Sequence, residues 1–108
     1  MLLKHFLIKF ELGKDFCWFD KKRIYYDTRF GLAGYQSLLS RLQNLIKLAG
    51  IHNVGTVIDV GANVGFFSML CRDLFPKSKV YSFEPIPKTF QCLENNFRDD
   101  KNTKVFNL

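Results

Sequence analysis

Asp59, Gly61, Asn63 and Gly65 fall within seven residues, and Glu84 follows Gly65 by nineteen. A carboxylate at the mouth of a glycine turn can hold a cationic group. A second carboxylate about 20 residues further on is placed to accept hydrogen bonds from the hydroxyls of a ribose. Glycine at 61 and 65 would let a ligand come close to the backbone. Each feature has a plainer reading. The turn could be a strand-to-helix connection only, Glu84 a solvated strand end, and Asn63 a helix N-cap. Their coincidence at this interval is what points to a ligand carrying adenosine.

The elements that must position these residues can be read from periodicity. The run Thr56-Val57-Ile58 is too apolar to face water on either side, so a strand over 56–60 is expected, with Asp59 near its end. A helix over about 63–74 should follow, stopped by Pro76, with Phe66, Met69, Leu70 and Leu74 facing inward. A second strand, 79–83, closes at Glu84-Pro85, where a water-accessible crevice is expected. Pro87 suits the first turn of a further helix with Phe90, Leu93 and Phe97 on one face, and 104–108 starts a third strand. Upstream, Leu38, Leu42, Leu45 and Ala49, widened by Leu39 and Ile46, mark a helix over 35–49, and Gly50 suits a left-handed cap. Strands alternating with helices imply parallel pairing through right-handed crossovers, with both sheet faces covered.

The expected fold is therefore α/β: a partial Rossmann-like, doubly wound sheet of three parallel strands with helices, preceded by an aromatic-rich N-terminal hairpin and a helix. Residues 1–34 form the aromatic-rich extension, and 35–108 the N-terminal half of the Rossmann-like domain. Within the extension, "FCWFDKKRIYYD" has two β-prone runs flanking Asp20-Lys21-Lys22-Arg23, which predicts a hairpin with a four-residue loop.

Composition narrows the function classes. The 108 residues suffice for one small domain, and a hydrophobic fraction of 47% is that of a packed protein. Net charge is +6, split evenly between 1–34 and 35–108, with Lys21-Lys22-Arg23 as the only basic block. Dispersed lysines of this kind usually solvate a surface, although Trp18 and Tyr25-Tyr26 near that block offer rings on which bases could stack. Cys17, Cys71 and Cys92 lack any CxxC pair or matching histidines, which argues against a zinc site and a disulfide framework. His5 and His52 have no companion ligands, so no metal is expected. "MLLKHFLIKFEL" is broken by Lys4, Lys9 and Glu11 and reads as no signal peptide, and nothing approaches the ~20 apolar residues of a membrane span. The chain reads as cytoplasmic.

Which adenosine cofactor follows from charge. A nicotinamide dinucleotide wants G-x-G-x-x-G, but Asn63 and Phe66 stand where glycines would be needed after Gly61. A pyrophosphate would also be repelled by Asp59. S-adenosylmethionine carries no phosphate, and its ammonium and sulfonium turn Asp59 into an asset. Asn63 and the helix N-terminus could offer donors to its carboxylate.

"VIDVGANVGFFS" followed by "VYSFEPIPKTFQCLENNF" resembles the FkbM-type methyltransferase family, with its Asp-x-Gly-Ala-Asn-x-Gly turn and its Phe-Glu-Pro closing the second strand. The resemblance runs over 56–108. It implies cofactor binding by Asp59, Gly61, Ala62, Asn63 and Gly65 of the first motif, and by Phe83, Glu84 and Pro85 of the second, with Glu84 on the ribose. It further implies methyl transfer to a hydroxyl of a sugar, glycan or small natural product. Strands four to seven of that family, its adenine loop beyond strand three and its acceptor pocket have no counterpart here. The expectation is an incomplete chain that carries the cofactor motifs and is inactive by itself, so no catalytic residue is named. Two alternatives stand beside it: part of a nucleic-acid methyltransferase, and a non-catalytic remnant.

Overall fold

The computed structural model describes the backbone of 8–10, 16–19, 22–25 and 35–108, and the side chains of residues 25 and 40–108. Three short strands come first: β1 (Ile8–Phe10), β2 (Phe16–Phe19) and β3 (Lys22–Tyr25). They form an antiparallel sheet in the order β1-β2-β3. The hairpin is tighter than expected. Phe19 pairs with Lys22, so Lys22 and Arg23 belong to the strand and not to a four-residue loop. Strand β1 has no counterpart in the sequence pattern. His5, Lys21 and Tyr26, together with the side chains of Cys17 and Trp18, lie outside what is described.

Helix α1 (Tyr35–Leu48) ends as its sequence demands. Gly50 takes φ 65, and the N–H groups of Gly50 and Ile51 reach back to the carbonyls of Lys47 and Ile46, a Schellman arrangement that closes the last turn. Leu42 packs on Leu70, whereas Leu45, expected to face inward, is exposed.

The second sheet holds β4 (Thr56–Val60), β5 (Lys79–Phe83) and β6 (Thr103–Phe106), parallel and in the order β4-β5-β6. They are linked by α2 (Phe66–Leu74) and α3 (Pro87–Phe97). Helix α2 starts three residues later than its apolar periodicity suggested, because Asn63 and Gly65 both have positive φ and cannot extend the helix.

Register decides which residues the helices cover. Val57, Val80 and Thr103 form one row across the sheet, and Asp59, Ser82 and Val105 form the next on the same face. Met69 of α2, Phe90, Leu93 and Phe97 of α3, and Val105 pack together over that face. The opposite face carries Ile58, Tyr81 and Lys104, then Val60, Phe83 and Phe106. There the Phe83 and Phe106 rings stack at 4.9 Å. Ile58 and Val60 stay 67% and 80% exposed, so among the described residues β4 is covered on one side only. The described helices that follow β4 and β5 cover one face: α2 and α3 pack on the same side, as two right-handed crossovers in one direction require.

Arg72 locks the far end of this unit. Its Nε donates to Asp100 Oδ2 at 2.8 Å, and its Nη1 to the carbonyls of Pro76 and Ser78 at 2.9 and 2.7 Å. Burial alone would raise the Asp100 carboxyl. Hydrogen bonds from Asn102 N–H, Thr103 Oγ1 and Arg72, together with the Arg72 charge, bring it below its ordinary value. A carboxyl lowered in the fold stabilises above its unfolded pKa and loses that contribution as pH falls through the folded one. Arg72→Ala is accordingly expected to cost about 2–3 kcal/mol in urea unfolding at neutral pH. The deficit should shrink in acid, where Asp100 takes up its proton. A loss under half a kilocalorie would mean that the clamp carries little.

Candidate functional site

The glycine turn is tied to the end of β5 through its own amides. Gly61 N–H and Ala62 N–H both donate to the Phe83 carbonyl at 2.9 Å. Asn63 N–H donates to Glu84 Oε2 at 2.9 Å, and Gly65 N–H closes on the Ala62 carbonyl. The N–H groups of four turn residues are thus consumed within the protein. A glycine loop that cradles phosphate does so with amides of this kind.

The two carboxylates lie against this turn. Asp59 is only 7% exposed and faces α2. Ser68 Oγ donates to Asp59 Oδ2 at 2.5 Å, and the Ser68 N–H, in the first turn of α2, donates to the same carboxylate. Asp59 therefore sits where a bound anion would sit at a helix N-terminus. Ser82 Oγ lies 2.7 Å from Ser68 Oγ, so a row of three polar side chains runs from β4 through α2 to β5. Burial pushes the Asp59 carboxyl above its usual value. The Ser68 hydrogen bonds pull it down, and the charge of Glu84 pushes it up again. No cationic side chain among the described residues compensates it.

Glu84 is 5% exposed, not at the open crevice expected for a strand end. Its Oε1 accepts from Ile86 N–H and its Oε2 from Asn63 N–H, both at 2.9 Å. Each oxygen retains a second lone pair for a hydroxyl. Pro85, which has no N–H, turns the chain so that the Ile86 amide reaches back to the carboxylate. Asn107 Nδ2 fixes the same corner by donating to the Glu84 and Pro85 carbonyls at 2.8 and 3.1 Å.

The two glycines differ in kind. A Cβ on Gly61 (φ +76) would meet nothing within 4 Å, so its missing side chain leaves open space beside the turn. A Cβ on Gly65 (φ +99) would lie 2.3 Å from Phe97 Cε2 and 2.8 Å from Leu93 Cδ1. Glycine at 65 lets α3 pack close. Ala62 is buried against the same Leu93 and Phe97. Asn63 is exposed with φ 54 and is not the helix N-cap, a position taken by Gly65.

Periodicity did not mark Ser68, Ser82, Asn96 or Asn107 as part of this site. Cys71, a small core residue as expected, has its thiol pushed up to about 11 by burial and by the nearby Asp59 charge. It stays protonated near neutral pH. Among the described residues no cluster of three or more His, Cys, Asp or Glu could hold a metal ion, and no helix is long and apolar enough to cross a membrane.

Comparison with solved structures defines the class of fold. M. jannaschii TYW2 in complex with AdoMet superposes with a TM-score of 0.64 at 20% identity, over 95% of this chain and 50% of that one. Precorrin-6y C5,15-methyltransferase of Geobacter metallireducens gives 0.63 at 13% identity, over 79% and 44%. The fold shared with these two proteins is an open, Rossmann-like parallel sheet. Among curated proteins, methyltransferase sdnD of Sordaria araneosa is 38% identical over 40 residues, and methyltransferase 1 of Beauveria bassiana is 35% identical over 40. Those segments make up 37% of this chain and only 15% and 16% of the two relatives. No protein-family model matches the chain.

Proposed function

We propose that this chain binds S-adenosylmethionine through the Asp59–Gly65 turn and Glu84, as the cofactor half of a methyltransferase acting on a hydroxyl of a sugar, glycan or small natural product. The observation that carries the reading is electrostatic. The turn has spent the amides of residues 61, 62, 63 and 65 on its own structure and presents two buried carboxylates instead of a phosphate cradle. A cationic, phosphate-free adenosine cofactor suits that arrangement, and a pyrophosphate does not.

In this reading Asp59 holds the positive charge of the methionine end, and its unmatched burial is relieved when the ligand binds. Glu84, held rigid by two amides, accepts from the ribose hydroxyls. Gly61 leaves room for the ligand against the backbone. The remaining residues of the two motifs, Ala62, Asn63, Gly65, Phe83 and Pro85, shape the turn and its seat on β5. When bound, such a cofactor would supply a methyl group already activated on sulfur, leaving the protein to align the acceptor oxygen and to provide a base for its proton. The FkbM-type motif supports the hydroxyl acceptor.

A nucleic-acid acceptor is the second reading. It is favoured by the +6 net charge and by likeness, at 25% identity and TM-score 0.55, to a Pyrococcus horikoshii protein assigned as an RNA methyltransferase. Calorimetric titration with S-adenosylmethionine and with NAD tests the cofactor: the first should bind and the second should not. NAD binding without S-adenosylmethionine binding would defeat the electrostatic reading. Transfer of labelled methyl groups to glycans or small hydroxyl compounds, compared with RNA at graded salt, separates the acceptors.

A further inference from the structure

Asn96 lies on α3, outside both cofactor motifs, yet its amide reaches two separate parts of the molecule. Its Oδ1 accepts from the Tyr25 N–H at 2.7 Å, while its Nδ2 donates to the Tyr25 carbonyl at 2.9 Å and to the Val64 carbonyl at 2.7 Å. The orientation of the amide is unambiguous, since only nitrogen can donate to two carbonyls and only oxygen can accept from an N–H. Among the described residues β3 pairs with β2 on one side only, and residue 25 turns its N–H and C=O the other way. Asn96 meets them as the peptide group of a neighbouring strand would. Val64, 3% exposed, sits inside the glycine turn between Gly61 and Gly65.

We infer that Asn96 is a positioning residue, and that through it the β1–β3 sheet holds the glycine turn in place. The physical case is that one half-buried amide spends its acceptor and both of its donors on these two elements. Neither element can shift without breaking a hydrogen bond to this part-buried amide. The turn is therefore braced from outside the parallel sheet. The effect on cofactor affinity rests on the proposed function; the brace itself does not.

Amide hydrogen exchange on the full chain tests the brace directly. Asn96→Ala should speed exchange in both 22–25 and 61–65 by about tenfold, the equivalent of one or two lost hydrogen bonds. Tyr25→Pro removes the donor on the sheet side and leaves the Val64 bond intact, yet it should also speed exchange at 61–65. It decides the matter alone if Asn96→Ala does not fold. Asn95→Ala, at the adjacent residue that pairs with Arg98, should change neither segment. The inference is overturned if Tyr25→Pro leaves the turn unchanged, or if Asn96→Ala loosens one segment and not the other. Calorimetry with S-adenosylmethionine should show about tenfold weaker binding for Asn96→Ala. If the wild type shows no binding while the exchange changes appear, the cofactor reading fails and the brace stands.

Discussion

Replacing Gly65 by alanine should destabilise the protein by about 2–5 kcal/mol, a large share of the ~5–15 kcal/mol that a domain holds in reserve. Two effects add. The backbone at 65 has φ +99, where an L residue is strained by about 1 kcal/mol or more. The new methyl would also start 2.3 Å from Phe97 Cε2 and 2.8 Å from Leu93 Cδ1, where the turn packs against α3. Those side chains have nowhere to withdraw, since Leu93 is fully buried and Phe97 nearly so. Gly61→Ala is the contrast, because its methyl would enter open space. Its loss should be near 1 kcal/mol, from backbone strain alone. Urea unfolding of both variants measures the difference. A double variant Gly65→Ala, Phe97→Ala should be more stable than the sum of the single losses predicts; simple additivity would show that the contact with Phe97 is not the cause.

Asp59→Asn should act in opposite directions on stability and on binding. A carboxyl raised by burial stabilises the fold while protonated, and that contribution is lost as pH rises through the folded pKa. At neutral pH the wild type therefore carries an unmatched buried charge, which the neutral amide of the variant removes. The variant keeps an oxygen to accept from Ser68 and should melt about 3–5 °C higher. The advantage should fade in acid, where the wild-type residue is neutral too. Affinity for S-adenosylmethionine should fall about 100-fold, as expected when a charged hydrogen-bonding partner is lost. A variant that melts lower, or that binds as tightly as the wild type, would show that Asp59 serves the fold alone.

Much of the parallel sheet was legible in the residues. The strands 56–60 and 79–83 and the start of α3 at Pro87 are local signals: an apolar run, a β-branched and aromatic run, and a proline suited to a first helical turn. The alternation of strands and helices then leaves few topologies. What was missed depends on contacts distant in sequence. Ser68 and Ser82 interrupt apolar patterns, but the register sets Ser82 beside Asp59 on the face that α2 covers, where Ser68 of that helix meets both. Glu84 looks like an open strand end until Asn63 and Ile86 close over it. Gly65 reads as room for a ligand, and only the approach of Leu93 and Phe97 shows what fills that space. Ile58 and Val60 have the composition of covered residues, which cannot say from which side the cover comes.

The row formed by Asp59, Ser68 and Ser82 also has a direction. An ionised carboxylate only accepts, so the single hydroxyl proton of Ser68 is committed to Asp59 and cannot serve Ser82. Ser82 must then aim its own proton at Ser68, across 2.7 Å, and the whole row points from β5 toward β4. Once Asp59 is protonated the constraint lifts, and the row can run the other way, carboxyl to Ser68 and Ser68 to Ser82. The charge state at the end of one strand is thereby written into the rotation of a hydroxyl on the next.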